Sequence, residues 1–141
     1  LKAQYYSKHS GLPCLADDLG LEVDALEKRP GIYSARYIEG SDADRSNKIL
    51  QELEGVMDRQ ARFVCALAYV PLHGEPSTFR GSCEGSIGFE ITGSQGFGYD
   101  PIFIPTGYTQ SFGELGSDIK NTLSHRHKAM EAFSSWYRKQ L

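Results

Sequence analysis

Apolar and polar residues alternate along this chain with two periods, and each period marks a different kind of element. Ile49, Leu50, Leu53, Val56 and Met57 recur at helical spacing, and Ser41 with Asp44 three residues on forms a capping-box pattern ahead of them. The spacing predicts a helix between Ser41 and Met57 that serves as scaffold. From Arg62 to Val70 both alternating sets are apolar, Phe63, Cys65, Leu67 and Tyr69 against Val64, Ala66, Ala68 and Val70, which predicts a central strand covered on both faces. Phe79 to Thr92 alternates cleanly instead. Phe79, Cys83, Ile87, Phe89 and Ile91 fall on one side and Arg80, Ser82, Glu84, Ser86 and Glu90 on the other, so one face of that strand meets water or a partner subunit. The turn-forming stretch Pro71-Leu72-His73-Gly74-Glu75-Pro76 between the two strands predicts a long hairpin. Leu1 to His9 reads as the end of a helix closed by Gly11, with Pro13 preventing its continuation, and Leu12 to Val23 reads as extended. From about Ser124, the residues Ala129, Met130, Phe133, Trp136, Tyr137 and Leu141 form a helical stripe of the kind that builds a core. Helices and strands in this order predict an α/β domain, and with neither repeats nor linkers a single domain over residues 1–141.

Composition narrows the function classes. A chain of 141 residues with 40% hydrophobic residues suits one core, and a net charge of −3 argues against a nucleic-acid polymer or a membrane surface as partner. Cys14, Cys65 and Cys83 are odd in number, lack a CxxC pair and sit in apolar runs, which predicts free thiols in a reducing compartment, the cytoplasm. No run reaches the length of a membrane span.

Candidate chemistry lies in three segments. Leu15-Ala16-Asp17-Asp18-Leu19-Gly20-Leu21 and Gly96-Phe97-Gly98-Tyr99-Asp100-Pro101 set carboxylates beside glycine at the ends of apolar runs. Paired carboxylates at a strand end can hold Mg²⁺ against a phosphate, because Mg²⁺ takes one or two carboxylates and completes its shell with substrate oxygens. The same pair also serves as a solvated turn or a helix cap. Lys120-Asn121-Thr122-Leu123-Ser124-His125-Arg126 gathers three nitrogen donors that could grip an anion or a keto oxygen, or could form a solvated helix face.

Taken in order, the segments ADDLGLEVDAL, PGIYSARY, GFGYDPIF and KNTLSHR resemble those of the inosine triphosphatase family, also called XTP/dITP diphosphatases, from Leu1 to about Tyr137. The resemblance implies an α/β fold with an elongated mixed β-sheet in two lobes, flanking helices and a central cleft. It also implies a cytoplasmic homodimer. The activity it implies is Mg²⁺-dependent hydrolysis of deaminated purine nucleoside triphosphates (dITP, ITP, XTP) to the monophosphate and pyrophosphate. By resemblance Asp18 is the catalytic position, binding Mg²⁺ and orienting the attacking water, with Asp17 as a second ligand or as its support. Lys2 is directed at the phosphates. Phe97 stacks on the purine, within a substrate-binding segment that continues through Gly98, Tyr99 and Asp100. Lys120, His125 and Arg126 donate to the keto edge of hypoxanthine or xanthine and oppose the amino group of adenine.

Two departures from the family accompany the match. Leu19 stands where the family has a serine, which removes a hydroxyl from the substrate side. The family's first strand and helix, with a phosphate loop and a metal-binding glutamate, are not among these residues, so the chain reads as a fragment of the family fold. Two other readings stay open: a nucleotide-binding domain without catalysis, and a pyrophosphatase of pyrimidine or other modified nucleotides. Tyr33, Ser34 and Arg36 also match, although Arg36 suits a structural pair with Glu22 or Asp24 equally well, and Glu84 and Glu90 suit a second subunit.

Overall fold

The run that is apolar on both alternations becomes the middle of the sheet. In the computed structural model, which describes all 141 residues, β3 (Gln60–Val70) lies between β1 (Cys14–Val23) and β4 (Ser77–Ile87). Its register places Val70 opposite Cys14, Ala61 opposite Val23, and Tyr69 opposite Ser77. Two short strands, β2 (Arg29–Gly31) and β5 (Phe103–Pro105), finish the edges in the order β2-β1-β3-β4-β5. The expected α/β class is realised, with a sheet that is antiparallel throughout. Antiparallel pairing follows from the connections: β3 and β4 form the predicted hairpin, and Asp24–Lys28 between β1 and β2 is too short for a parallel crossover.

Four helices flank the sheet. The first, α1 (Lys2–Ser10), ends at Gly11 with φ 69°, and α2 (Asp42–Glu52) starts from the predicted capping box. In that box Ser41 Oγ accepts from Asp44 N at 3.1 Å and Asp44 Oδ2 accepts from Ser41 N at 2.8 Å. The helices α3 (Ser117–Leu123) and α4 (His125–Gln140) complete the chain. The main core joins Leu21, Val23, Phe63 and Ile87 of the strands to Ile49 and Leu53 of the α2 region and to Phe103 and Phe112. Removing these side chains from water is the chief favourable term in folding. A smaller cluster of Cys65, Leu67 and Ala129 lies where α4 rests on the sheet, and Phe133, Trp136 and Tyr137 pack around Tyr69 and Phe79, as the stripe predicts. All three cysteines are free, and burial lifts the Cys65 thiol to about 11.

Several pattern-based expectations end too late or face the wrong way. Helix α2 stops at Glu52 and leaves Met57 exposed, because the chain turns at Gly55. Strand β4 stops at Ile87, and Phe89 emerges from the sheet beneath the Arg59 guanidinium, 4.3 Å from its ring centroid. The second face of β3 is half-buried at Val64 and Ala68 and exposed at Ala66, so alanine there reflects small size more than burial. Leu141 at the end of the α4 stripe is exposed.

The acidic residues offered to Arg36 pair with Arg62 instead, which reaches Asp24 at 2.8 Å, Glu84 at 2.9 Å and Glu22 at 3.6 Å. Hydrogen bonds from Arg62 and then Lys28 hold the Asp24 carboxyl well below its ordinary range. Arg36 lies over the Tyr33 ring. No helix is long and apolar enough to cross a membrane.

Candidate functional site

Strand β2 pairs only with Leu21–Val23, so the N-terminal part of β1 has a neighbour on one side alone. Where that free edge meets β2, a cavity of about 180 Å³ opens, lined by Leu19, Leu21, Ser34, Phe97, Tyr99, Lys120 and His125 among others. The 96–100 turn forms one wall. Gly96 and Gly98 take φ of 77° and 60°, a region that costs a side-chain-bearing residue steric strain and glycine almost none. Asp100 secures the turn by accepting from Phe97 N at 3.0 Å. Its buried carboxylate also pairs with Lys120 Nζ, and the same ammonium sits 4.1 Å from the Phe97 ring centroid. Asp100 therefore both caps the turn and holds one of the predicted donors. Lys120 is an engaged ammonium, with protons to spare beyond the one given to Asp100.

Tyr99 is an anchor for this wall. Its hydroxyl donates to Ser34 O at 2.7 Å, and burial raises it to about 12. Ser34 in turn donates from Oγ to Gly31 O and accepts from Leu21 N, tying the wall to β1 and β2. Leu19 faces two ways: it lines the cavity and also packs against the Cys65, Leu67 and Ala129 cluster.

The opposite wall comes from the start of α4, where Ser124 Oγ accepts from His127 N at 3.1 Å and caps the helix. His125 is buried against Phe63, with ring centroids 5.0 Å apart, and its Nδ1 has no hydrogen-bond partner. Burial, assisted by the nearby charges of Lys120 and Arg126, lowers its pKa to about 4. His125 is thus neutral at pH 7, carrying one N–H donor and one bare nitrogen acceptor.

The same shift sets the acid limit of the fold. The folded His125 titrates near 4 and the unfolded one near 6.5, so acid protonates the unfolded chain first. Stability is undiminished above pH 6.5 and falls between pH 6.5 and 4, by about 2 kcal/mol from this group between pH 7.5 and 5. Carboxylates whose pKa values are lowered, Asp24, Asp42, Asp44 and Glu52, begin to lose their stabilisation only below about pH 5, as the unfolded carboxyls protonate. Urea denaturation of His125→Phe at both pH values should show that loss removed. An unchanged slope would place its origin elsewhere.

The adjacent carboxylates do not converge. Asp17 stands opposite Leu67 and Asp18 opposite Ala66, and successive strand residues point to opposite faces. Asp17 is committed to Arg126, whose Nε lies 3.1 Å from its Oδ2, while Lys2 Nζ donates to Asp17 O at 2.6 Å. Lys2, Asp17 and Arg126 line a second cavity of about 440 Å³ beside Tyr6 and Cys14. Asp18 is exposed on the other face and lines neither cavity.

No three His, Cys, Asp or Glu side chains cluster closely enough to cage a metal ion. A lone accessible carboxylate such as Asp18 does suit Mg²⁺, which keeps waters and takes most of its other ligands from substrate phosphates. Asp17 does not suit the part of co-ligand, because it faces away and is paired.

Of the predicted residues, Leu19, Phe97, Gly98, Tyr99, Asp100, Lys120 and His125 therefore surround one cavity, Lys2, Asp17 and Arg126 the next, and Asp18 stands apart. Pattern reading missed Ala35, Asp42, Arg45 and Phe63, which also line the first cavity. It assigned α2 to scaffold alone, yet Asp42 Oδ2 accepts from Gly98 N at 2.9 Å. An acidic residue in a first helical turn signals only a favourable helix dipole, so nothing local could have shown that contact.

Known proteins share this sequence pattern and this fold. The sequence model of the Ham1 family matches residues 1–136. A dITP/XTP pyrophosphatase of Porphyromonas gingivalis is 49% identical over 133 residues, covering 92% of this chain and 68% of that protein. Another, from Desulfotalea psychrophila, is 47% identical over 131 residues, covering 92% of this chain and 59% of its own length. The structure of the Staphylococcus aureus Ham1 protein superposes with a TM-score of 0.95 at 36% identity, over 100% of this chain and 74% of that one. A HAM1 protein from Coxiella burnetii gives 0.91 at 40% identity, over 98% and 73%. The chain thus spans between 59 and 74% of the length of these relatives.

Proposed function

This chain belongs to the Ham1 family, and on that footing we propose that it hydrolyses deaminated purine nucleoside triphosphates, dITP, ITP and XTP, to the monophosphate and pyrophosphate. The observation that carries the reading is the electrostatic character of the Phe97 cavity. Its charged groups are paired within the wall, Lys120 with Asp100 and Arg45 with Asp42, and its histidine is neutral. Such a space suits a flat uncharged base beside an aromatic ring, while the phosphates extend toward Lys2 and Arg126 in the neighbouring cavity.

Selectivity follows from donors. His125 offers an N–H, and Lys120 retains protons beyond the one shared with Asp100. The keto oxygen of hypoxanthine or xanthine accepts from them, whereas adenine would leave buried donors unpaired. Asp18 is the residue that would hold Mg²⁺ and orient the attacking water, and bound Mg²⁺ would neutralise charge on the departing pyrophosphate. Asp17 holds Arg126 in place for the phosphates. The proposal includes the homodimer that the family resemblance implies, and a cytoplasmic setting, with which three free thiols are consistent.

The test is pyrophosphate release from ITP and from ATP in the presence of Mg²⁺, assayed separately from orthophosphate. Pyrophosphate from ITP in large excess over ATP is the expected result, and equal release from both, or a preference for pyrimidine nucleotides, would overturn it. Asp18→Asn should lower kcat by about 10²- to 10⁴-fold, the usual scale of an acid–base group, and change ITP binding little. Because Asp18 lies outside both cavities, binding without turnover is the second reading, and inosine nucleotides that bind wild type yet are never cleaved would select it.

A further inference from the structure

Little packing fixes the Phe97 ring, which meets the Lys120 ammonium and is otherwise open to solvent. The ring is 56% exposed, and the space where a Cβ on Gly98 would sit is open. One hydrogen bond reaches residues 96–98 from a distant part of the chain, the bond from Gly98 N to Asp42 Oδ2 across 56 positions. The bond from Phe97 N to Asp100, a carboxylate that Lys120 holds, secures the start of the turn and leaves Gly98 to Asp42.

Asp42, by contrast, is held from behind. Arg45 Nη2 donates to its Oδ1 at 2.9 Å, and Arg45 Nη1 is fixed on the carbonyls of Gly40 at 2.8 Å and Ile38 at 3.3 Å. The capping box at Ser41 and Asp44 satisfies backbone donors at the same helix end and makes no contact with the Asp42 carboxylate. A carboxylate at that position is also favoured by the helix dipole.

We infer that Asp42 is a positioning residue for substrate: braced by Arg45, it fixes Gly98 and so holds the Phe97 ring where the flat base of a purine nucleotide stacks. The inference rests on the nucleotide reading above and concerns the base end of the ligand. Without the brace, the turn pivots at its two positive-φ glycines and only a fraction of molecules presents the ring correctly. Apparent affinity falls by that fraction.

The experiment titrates an uncleavable ITP analogue, bridged by methylene between the α and β phosphorus atoms, into wild type and three variants. Asp42→Ala should weaken binding about tenfold, the scale of one charge-assisted hydrogen bond. Asp42→Asn keeps an oxygen for Gly98 N but turns its NH₂ toward the Arg45 donor, so it should fall between wild type and Asp42→Ala, at about threefold. Asp44→Ala removes the capping box from the same helix end, so it should lower Tm and leave the affinity alone. Hydrogen exchange at the Gly98 amide should accelerate in Asp42→Ala only.

Equal affinity of Asp42→Ala and wild type, or an equal loss in Asp44→Ala, would overturn the positioning role and leave the nucleotide reading intact. Failure of wild type to bind the analogue would overturn the nucleotide reading, and this inference with it.

Discussion

Gly81→Ala is expected to destabilise the protein by about 3 kcal/mol or more, the upper range for forcing atoms into a packed site. A Cβ at this position would collide with His125 O and Ala129 N and lie 2.9 Å from Lys128 Cβ. Two of those three atoms are backbone, so no rotamer change relieves the clash, and α4 would have to lift from β4. The consequence reaches the site, because the start of α4 carries His125 and Arg126 to the two cavities. Inosine nucleotide binding should therefore weaken along with the urea midpoint. Gly116→Ala is the control: nothing lies within 4 Å of its added Cβ, and its effect should be within about 0.5 kcal/mol, as for most surface changes. A loss below about 1 kcal/mol at Gly81 would mean that α4 stands off the sheet.

Lys120→Met should cost about 3–5 kcal/mol, because removing one member of a buried ion pair strands the other. The Asp100 side chain is 4% exposed and the Lys120 side chain 17%, so neither is easily rescued by solvent. The double variant with Asp100→Asn should recover much of the loss, since no isolated charge remains buried, and Asn can still accept from Phe97 N. Lys28→Met breaks the exposed pair with Asp24 and should cost no more than about 1 kcal/mol. Urea denaturation of wild type, Lys120→Met, Asp100→Asn, the double variant and Lys28→Met measures all of this. Additive single effects of Lys120→Met and Asp100→Asn would show that the pair is not coupled. The functional companion of the loss is a slack Phe97 turn, because Lys120 touches both the Asp100 carboxylate and the Phe97 ring.

The sequence by itself determined what depends on neighbours a few residues apart. The Ser41–Asp44 capping box, the stop at Gly11, the 71–76 hairpin and the central place of β3 are all of this kind. Each is a contact or a period complete within a short window, so pattern and physics coincide. Strand alternation also sets Asp17 and Asp18 on opposite faces, against the shared metal role that the family resemblance implies. The motif segments were likewise visible, and most of their residues do line two neighbouring cavities.

Only the tertiary structure decided how those residues are employed. Lys120 is bound to Asp100 from 20 positions away, Gly98 to Asp42 across 56, and Tyr99 to Ser34 across 65. Partners so far apart leave no periodic trace in the chain, because their meeting depends on where α2, α3 and the segment after β2 come to rest. The charge of His125 was decided in the same way: its pKa answers to burial against Phe63 and to Lys120 and Arg126 nearby, and burial exists only after folding.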